Sequence, residues 1–119
     1  MNIQYYHATK EKLYAKQYTA AIIVPEKDQL LDLLAMSLDE PELKLVLKVG
    51  ITKVSPKDQY NRKTGREQAF QKIKKQIVKV KSIDYNQNRI TICLTNSEVM
   101  LRLQISTAGK KVHLISVEV

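Results

Sequence analysis

The sequence predicts an α+β fold in which a mostly antiparallel sheet, with a C-terminal four-strand meander, carries about two packed helices. Two observations favour this class. The second half of the chain alternates apolar and polar residues with period two, and two earlier stretches begin with helix-capping signals. The 44% hydrophobic content indicates a folded chain, and 119 residues are enough to bury a core as a single domain, residues 1–119.

The first half of the chain predicts a short strand followed by a helix. Residues 1–18 fit a helical turn or a loosely packed segment equally well. Residues 19–24 form a β-like run that stops at Pro25. This proline opens a helix whose first turn carries Glu26, where the helix dipole favours negative charge. Residues 39–41 end the helix, because the proline among them cannot continue the hydrogen bonds.

Residues 43–52 then predict a half-buried strand. The apolar side chains of this stretch recur at every second position, and Lys44, Lys48 and Thr52 point to the other face. Such alternation is typical of a strand with one buried side.

A second helix is expected to begin inside a basic run. Ser55 followed by Pro56 is typical of a helix start, and Thr64 with Glu67 forms a second capping box. A short turn is therefore expected before a main helix from about Gly65. The apolar stripe of that helix would be Ala69, Phe70, Ile73 and Ile77, and a second face would carry Lys72, Lys75 and Lys79.

The remaining chain predicts four strands in an antiparallel meander. Apolar positions alternate with polar ones from Val78 onward, and polar or glycine-containing turns interrupt the pattern at residues 86–88, 96–97 and 108–110. The helices would then pack on one face of this sheet.

The charge of the chain is strongly uneven. Residues 44–81 contain 12 of the 20 basic residues and only two acids, Asp58 and Glu67, within a net charge of +8. Such a distribution favours a polyanionic partner. No apolar run is long enough for a membrane helix, and the first residues lack the layout of a signal peptide. The single cysteine, Cys93, excludes an internal disulfide and favours the cytoplasm.

The basic run supplies the candidate binding residues. Backbone N–H groups at a helix start favour an anion, and Arg62 and Arg66 are four residues apart, so both guanidinium groups can reach one phosphate backbone. Tyr60 can stack on a base or pack on a neighbour. The candidate nucleic-acid or partner-binding residues are Lys57, Tyr60, Arg62, Lys63, Arg66, Lys72 and Lys75.

The same run also resembles a stretch of small, poorly characterised phage and mobile-element proteins. The shared pattern is Ser-Pro-x-Asp-x-Tyr/Phe-x-Arg/Lys-Lys-x-Gly-Arg-x-x-Ala, and it spans residues 55–69 of this chain. The resemblance implies a phage-encoded accessory protein, one that acts on a host machine in the host cytoplasm. It implies no particular ligand.

A second basic surface is conceivable on the polar face of the sheet. Lys44, Lys48, Lys81 and Arg102 would line up there if their strands were neighbours. The strands carry few aromatic residues, however, and sheets that recognise RNA place aromatics inside their strands. Ordinary solvated lysines are therefore the favoured interpretation of this face.

Catalytic and metal-binding patterns are nearly absent from the sequence. His7 and His113 are far apart, Cys93 has no cysteine partner, and no nucleotide-binding or zinc motif occurs. We expect no catalytic residues, no metal and no cofactor, and a non-enzymatic role is favoured. A nuclease would need a metal held by Asp58 or Glu67 together with further carboxylates.

Two functions fit these observations. The first is binding to the phosphate backbone of a nucleic acid, DNA or RNA, through residues 57–75. The alternative is an inhibitor or regulator that covers an acidic surface of a host protein or nucleoprotein complex. Acidic residues between Glu26 and Glu42 leave a third feature open, because they can mask the basic run or join two copies into a homodimer.

Overall fold

A computed structural model of the chain describes residues 2–8, 17–37, 43–53 and 61–119. Within these ranges it contains seven strands and two helices. Their bounds are β1 Asn2–Ala8, β2 Tyr18–Val24, α1 Lys27–Ser37, β3 Lys44–Lys53, α2 Arg62–Gln71, β4 Lys74–Asn86, β5 Arg89–Thr95, β6 Met100–Ser106 and β7 Val112–Glu118.

The strands form one antiparallel sheet that nearly closes into a barrel, so the fold class predicted from the sequence is wrong. Each strand pairs with the next one along the chain, and β7 returns to contact β1. The last four strands are therefore part of a seven-stranded sheet and do not form a separate meander. The helices do not share a face either, because α1 contributes to the barrel interior whereas α2 packs on the outer surface of β2 and β3.

Period-two alternation decides which side chains enter the barrel. In β6, Leu101, Leu103 and Ile105 are fully buried, and the residues between them are half-exposed. The predicted alternation of residues 43–52 is confirmed, since Leu47 lies inside the barrel and Lys44 and Lys48 lie outside it. The fully buried apolar side chains of the interior are Ala20, Ile22, Leu30, Ile92, Leu94, Leu101, Leu103, Ile105 and Val117.

Two strands lie where the sequence does not predict them. β1 occupies part of the stretch 1–18 that fitted a helical turn, and β4 begins at Lys74, within the predicted helix. The start of β4 pairs with residues Lys44–Val49 of β3. Tertiary pairing thus overrides the helical spacing of the apolar residues here.

Side chains close the seam between the two ends of the sheet. The Gln4 amide on β1 donates to the Val112 carbonyl at 2.6 Å and accepts from the Leu114 N–H at 2.8 Å. On the neighbouring strand, the Tyr18 hydroxyl donates to the Val117 carbonyl. Burial raises the pKa of Tyr18, with smaller effects from Tyr6 and Glu118, so the hydroxyl stays protonated as a donor.

The first helix is fixed to the far end of the sheet. The Lys27 ammonium donates to the backbone carbonyls of Thr107 and Gly109 in the β6–β7 turn, at 3.3 and 2.6 Å. Three leucines of α1 join the barrel interior: Leu30, Leu33 and Leu34. The predicted end of this helix at residues 39–41 lies outside the described residues.

The second helix docks through two glycines. Gly65 on α2 is buried against the Thr19 side chain of β2, and Gly50 on β3 lies under the backbone at the end of α2. A Cβ atom at Gly50 would lie 2.7 Å from the Ile73 nitrogen and even closer to the Ala69 carbonyl oxygen. Backbone atoms cannot move aside as a flexible side chain can, so the close approach of α2 requires glycine here.

Replacing Gly50 with alanine should displace α2. Because its Cβ would overlap the α2 backbone, we expect Gly50→Ala to lower the free energy of unfolding by about 1–3 kcal/mol. Gly109→Ala is the matched control, since its Cβ would meet only Ser106 at 3.4 Å. Urea denaturation of both variants measures the difference. Equal stability of the two would contradict the tight helix docking described here.

Removing the Gln4 amide should weaken the closed sheet. Gln4→Ala leaves the Val112 carbonyl and the Leu114 N–H without their partner, which should cost about 1–3 kcal/mol of unfolding free energy. Gln71→Ala removes an amide from the exposed end of α2 and should change stability by less than about 0.5 kcal/mol. Thermal and urea unfolding compare them, and a Gln4→Ala variant as stable as Gln71→Ala would show that the seam needs no such bond.

Candidate functional site

The candidate site is built on the start of α2, which differs from the predicted one. Asn61 is the N-cap, and its side-chain oxygen accepts from the N–H groups of Lys63 and Thr64 at 3.0 and 3.3 Å. The helix therefore begins at Arg62, and the predicted capping box of Thr64 and Glu67 is wrong. The other predicted start, at residues 55–58, lies outside the described residues.

This start places cations where the helix dipole disfavours them. The first turn contains Arg62 and Lys63 and no acidic residue, and both side chains are exposed. Positive charge at a helix N-terminus opposes the partial positive charge of the unpaired N–H groups. An anion bound there would relieve that repulsion.

One flank of α2 carries both arginines. Arg62, Arg66 and Phe70 recur every four residues and so share a flank, which we call the arginine flank. Gln68 lies on the opposite flank, where its side-chain oxygen accepts from the Thr52 hydroxyl at 3.1 Å. Since α2 crosses the outer face of β3 at Gly50, the arginine flank lies on the side of the helix opposite Thr52.

The exposed part of the sheet carries four lysines. On the outer face of β3 and β4, Lys44 pairs with Lys79 and Lys48 pairs with Lys75, all exposed. We call these four residues the lysine frame. Like charges directly opposite each other across two strands destabilise a sheet. The frame is therefore a second place where cations oppose the stability of the fold.

Val46 and Ile77 lie between the two lysine pairs. They are register partners on the same outer face, with exposed fractions of 56% and 62%. Gly50 and Thr52 continue the outward-facing positions of β3 beneath α2. The lysine frame and the arginine flank thus both lie on the outer surface of the sheet, and we call the two together the basic face.

Glu67 is the described acid on α2, and no described acid forms an ion pair with the basic face. The ion pairs among the described residues join Lys74 to Glu98 at 3.9 Å and Arg102 to Glu118 at 3.4 Å, outside this face. The described acids of α1 belong to the helix that is tied to the β6–β7 turn. The remaining acids of the stretch 39–42, expected as a mask, lie outside the described residues.

The structure brings together only part of the predicted binding set. Arg62, Lys63 and Arg66 share the exposed start of α2, and Lys75 joins the lysine frame. Lys72 points away from them, with its ammonium 3.5 Å from the Thr52 hydroxyl on the opposite flank. Lys57 and Tyr60 lie outside the described residues.

Sequence reasoning missed Lys75 as a sheet residue, and it grouped Lys44 and Lys48 with Lys81 and Arg102 instead of with Lys75 and Lys79. Arg102 of that predicted group pairs with Glu118 instead. The signal was present, because Lys75, Ile77 and Lys79 alternate with period two like the strand that follows them.

A shallow cleft of about 500 Å³ lies beside the β5–β6 turn. Ile51, Lys53, Lys72, Glu98 and Val99 line it, together with Val119. Among the described residues, no three His, Cys, Asp or Glu side chains lie together as a metal site would require. In the same ranges, neither helix has the length and apolar character needed to cross a membrane.

His7 lies beside the arginine flank. Its Nδ1 is 3.1 Å from the Thr19 hydroxyl on β2. Burial is the main cause that lowers the pKa of His7 below 6.5, and the positive charges of Arg62 and Arg66 lower it further. The imidazole is therefore neutral at pH 7, and the two guanidinium groups are close enough to act on it.

Comparison of the chain with models of known protein families, with curated proteins and with solved structures found no match. The phage character expected from residues 55–69 therefore stays a prediction. The basic face has to be interpreted from its own geometry.

The lowered pKa of His7 predicts an acid-sensitive stability. As the pH falls below 6.5, the unfolded chain takes up a proton before the folded one does, so the free energy of unfolding should fall between 6.5 and the lower folded pKa. His7→Gln should remove this part of the pH dependence, which urea denaturation at several pH values between 5 and 8 can measure. His113→Gln, which removes an exposed histidine from β7, is the control. Equal pH profiles for both variants would contradict the assignment.

Proposed function

We propose that this protein binds nucleic acid through the phosphate backbone, using the basic face. The proposal rests on one observation: several cationic side chains lie where their positive charge destabilises the fold. Arg62 and Lys63 occupy a helix start without acids, and the lysine frame consists of two like-charged cross-strand pairs. A polyanion laid across this face would relieve both repulsions at once.

The residues suit phosphate contacts better than the reading of base sequence. The guanidinium groups of Arg62 and Arg66 can each donate two hydrogen bonds to a phosphate, and lysines act as point charges. α2 lies flat on the sheet through Gly65 and Ala69, both buried, so it is not free to enter a groove. Phosphate contacts carry no sequence information directly, so we expect binding that depends little on base sequence.

The proposed setting follows from the sequence. A single cysteine, Cys93, which is buried and unpaired, suits a reducing cytoplasm. The resemblance of residues 55–69 supports a phage or mobile-element accessory protein that meets nucleic acid in the host cytoplasm. No chemical step is part of this proposal.

Neutralising the arginine flank should weaken nucleic-acid binding and its salt dependence. For Arg62→Gln with Arg66→Gln, the loss of two phosphate contacts should lower the slope of log K against log salt by about 1.4 to 1.8. The control is Lys110→Gln with Lys111→Gln, which removes the same charge from the exposed β6–β7 turn. Fluorescence anisotropy with DNA of random sequence across a salt series measures both slopes.

Two results of that series would contradict the proposal. If the wild-type protein failed to bind DNA or RNA even at low salt, nucleic-acid binding would be excluded. If the slope of log K against log salt fell by the same amount in both double variants, net charge alone would explain binding. The basic face would then not be the site.

The inhibitor hypothesis makes a different prediction for the same double variant. An acidic host protein recognised by Arg62 and Arg66 would be lost in a pull-down, while retention on nucleic acid would stay the same. The comparison separates the two functions with one pair of proteins.

A further inference from the structure

The centre of the lysine frame is apolar, which phosphate contacts alone do not explain. Val46 and Ile77 lie directly opposite each other and expose 56% and 62% of their surface. Single exposed apolar residues are ordinary on a protein surface. Two that share a cross-strand position, with a pair of lysines on either side, form a continuous apolar spot with a charged rim.

The dimensions of the frame are set by the strands. The two lysine pairs lie four residues apart along β3, which corresponds to about 13 Å. The apolar pair lies midway between them. A ligand held at both lysine pairs must therefore cross Val46 and Ile77.

A duplex offers little to cover these apolar side chains. Its outer surface consists of phosphates and sugars, and its base faces are stacked inside. Val46 and Ile77 stand on the outer face of the sheet and are too short to reach a groove floor. A single strand, by contrast, exposes base faces that pack on aromatic or apolar side chains while basic groups hold the phosphates.

We infer that the basic face is a platform for single-stranded nucleic acid, in which the lysine frame holds phosphates and Val46 with Ile77 covers the bases. The inference rests on the proposed function and adds the form of the ligand. Phe70, 48% exposed on the arginine flank, supplies an aromatic side chain on the same outer surface. The strand would thus pass from the frame toward Arg66.

The first test replaces the apolar pair without changing charge. Val46→Thr with Ile77→Thr keeps both residues β-branched, so the strands should fold as before. Binding of a single-stranded DNA of about 20 nucleotides should weaken roughly tenfold or more, and binding of the matched duplex should stay the same. Ile115→Thr, an exposed position on β7, is the control and should change neither.

The second test adds stacking surface. Ile77→Tyr places an aromatic ring at the centre of the frame, and it should strengthen single-strand binding while leaving duplex binding unchanged. A gain confined to the single strand is not expected from a misfolded variant, because an unfolded basic chain would bind both forms through its charge. Thermal unfolding of all variants completes the comparison.

The outcomes separate this inference from the proposed function. If wild-type protein binds both DNA forms equally and the threonine variant matches it, the platform is excluded and phosphate binding stands. If neither form binds at low salt, the proposed function itself fails. If poly-glutamate displaces the single strand at equal charge concentration, an acidic polypeptide is the better occupant and the inference is overturned.

Discussion

The hydrogen bonds of the Gln4 amide hold the two ends of the sheet together. Backbone hydrogen bonds join each strand to the next from β1 to β7. Between β7 and β1, the side-chain amide of Gln4 supplies both a donor and an acceptor to the β7 backbone. Closure in this form leaves the interior to apolar side chains and moves nearly all charge outward. Because the seven strands enclose one apolar interior, the lysines of β3 and β4 lie on the outer surface and form part of the basic face.

The position of the site depends on a second contact, between Gly50 and the backbone of α2. Because the helix crosses β3 at that glycine, it covers only one half of the outer face of the strand. The other half carries Lys44 and Lys48, which are exposed. A bulkier residue at position 50 would alter which lysines accompany Arg62 and Arg66. Gly50 thus determines both how α2 packs on β3 and which charged side chains lie near that helix.

Local patterns in the sequence predict the strands better than the helix start and the closure. The alternation in residues 43–52 and the turns at 86–88 and 96–97 are confirmed, because each depends on neighbouring residues alone. The stretch around Ile77 satisfies both helical and strand spacing, and pairing with β3 decides between them. Asn61 caps α2 although Thr64 offers an equally good local signal. The seam at Gln4 leaves no local signal, since its partners are more than 100 residues away.

The separation in sequence between Gln4 and its partners in β7 also affects when the barrel can close during folding. β1 and β2 are synthesised before β7, the last of the seven described strands, whose carbonyls accept from Gln4 and Tyr18. Contacts between such distant positions form slowly, because a long loop must first be closed. Until then the apolar side of β2, with Ile22 at its centre, lacks part of its covering. The nascent chain would pass through an open sheet, and closing the seam would be the event that ends its exposure to aggregation.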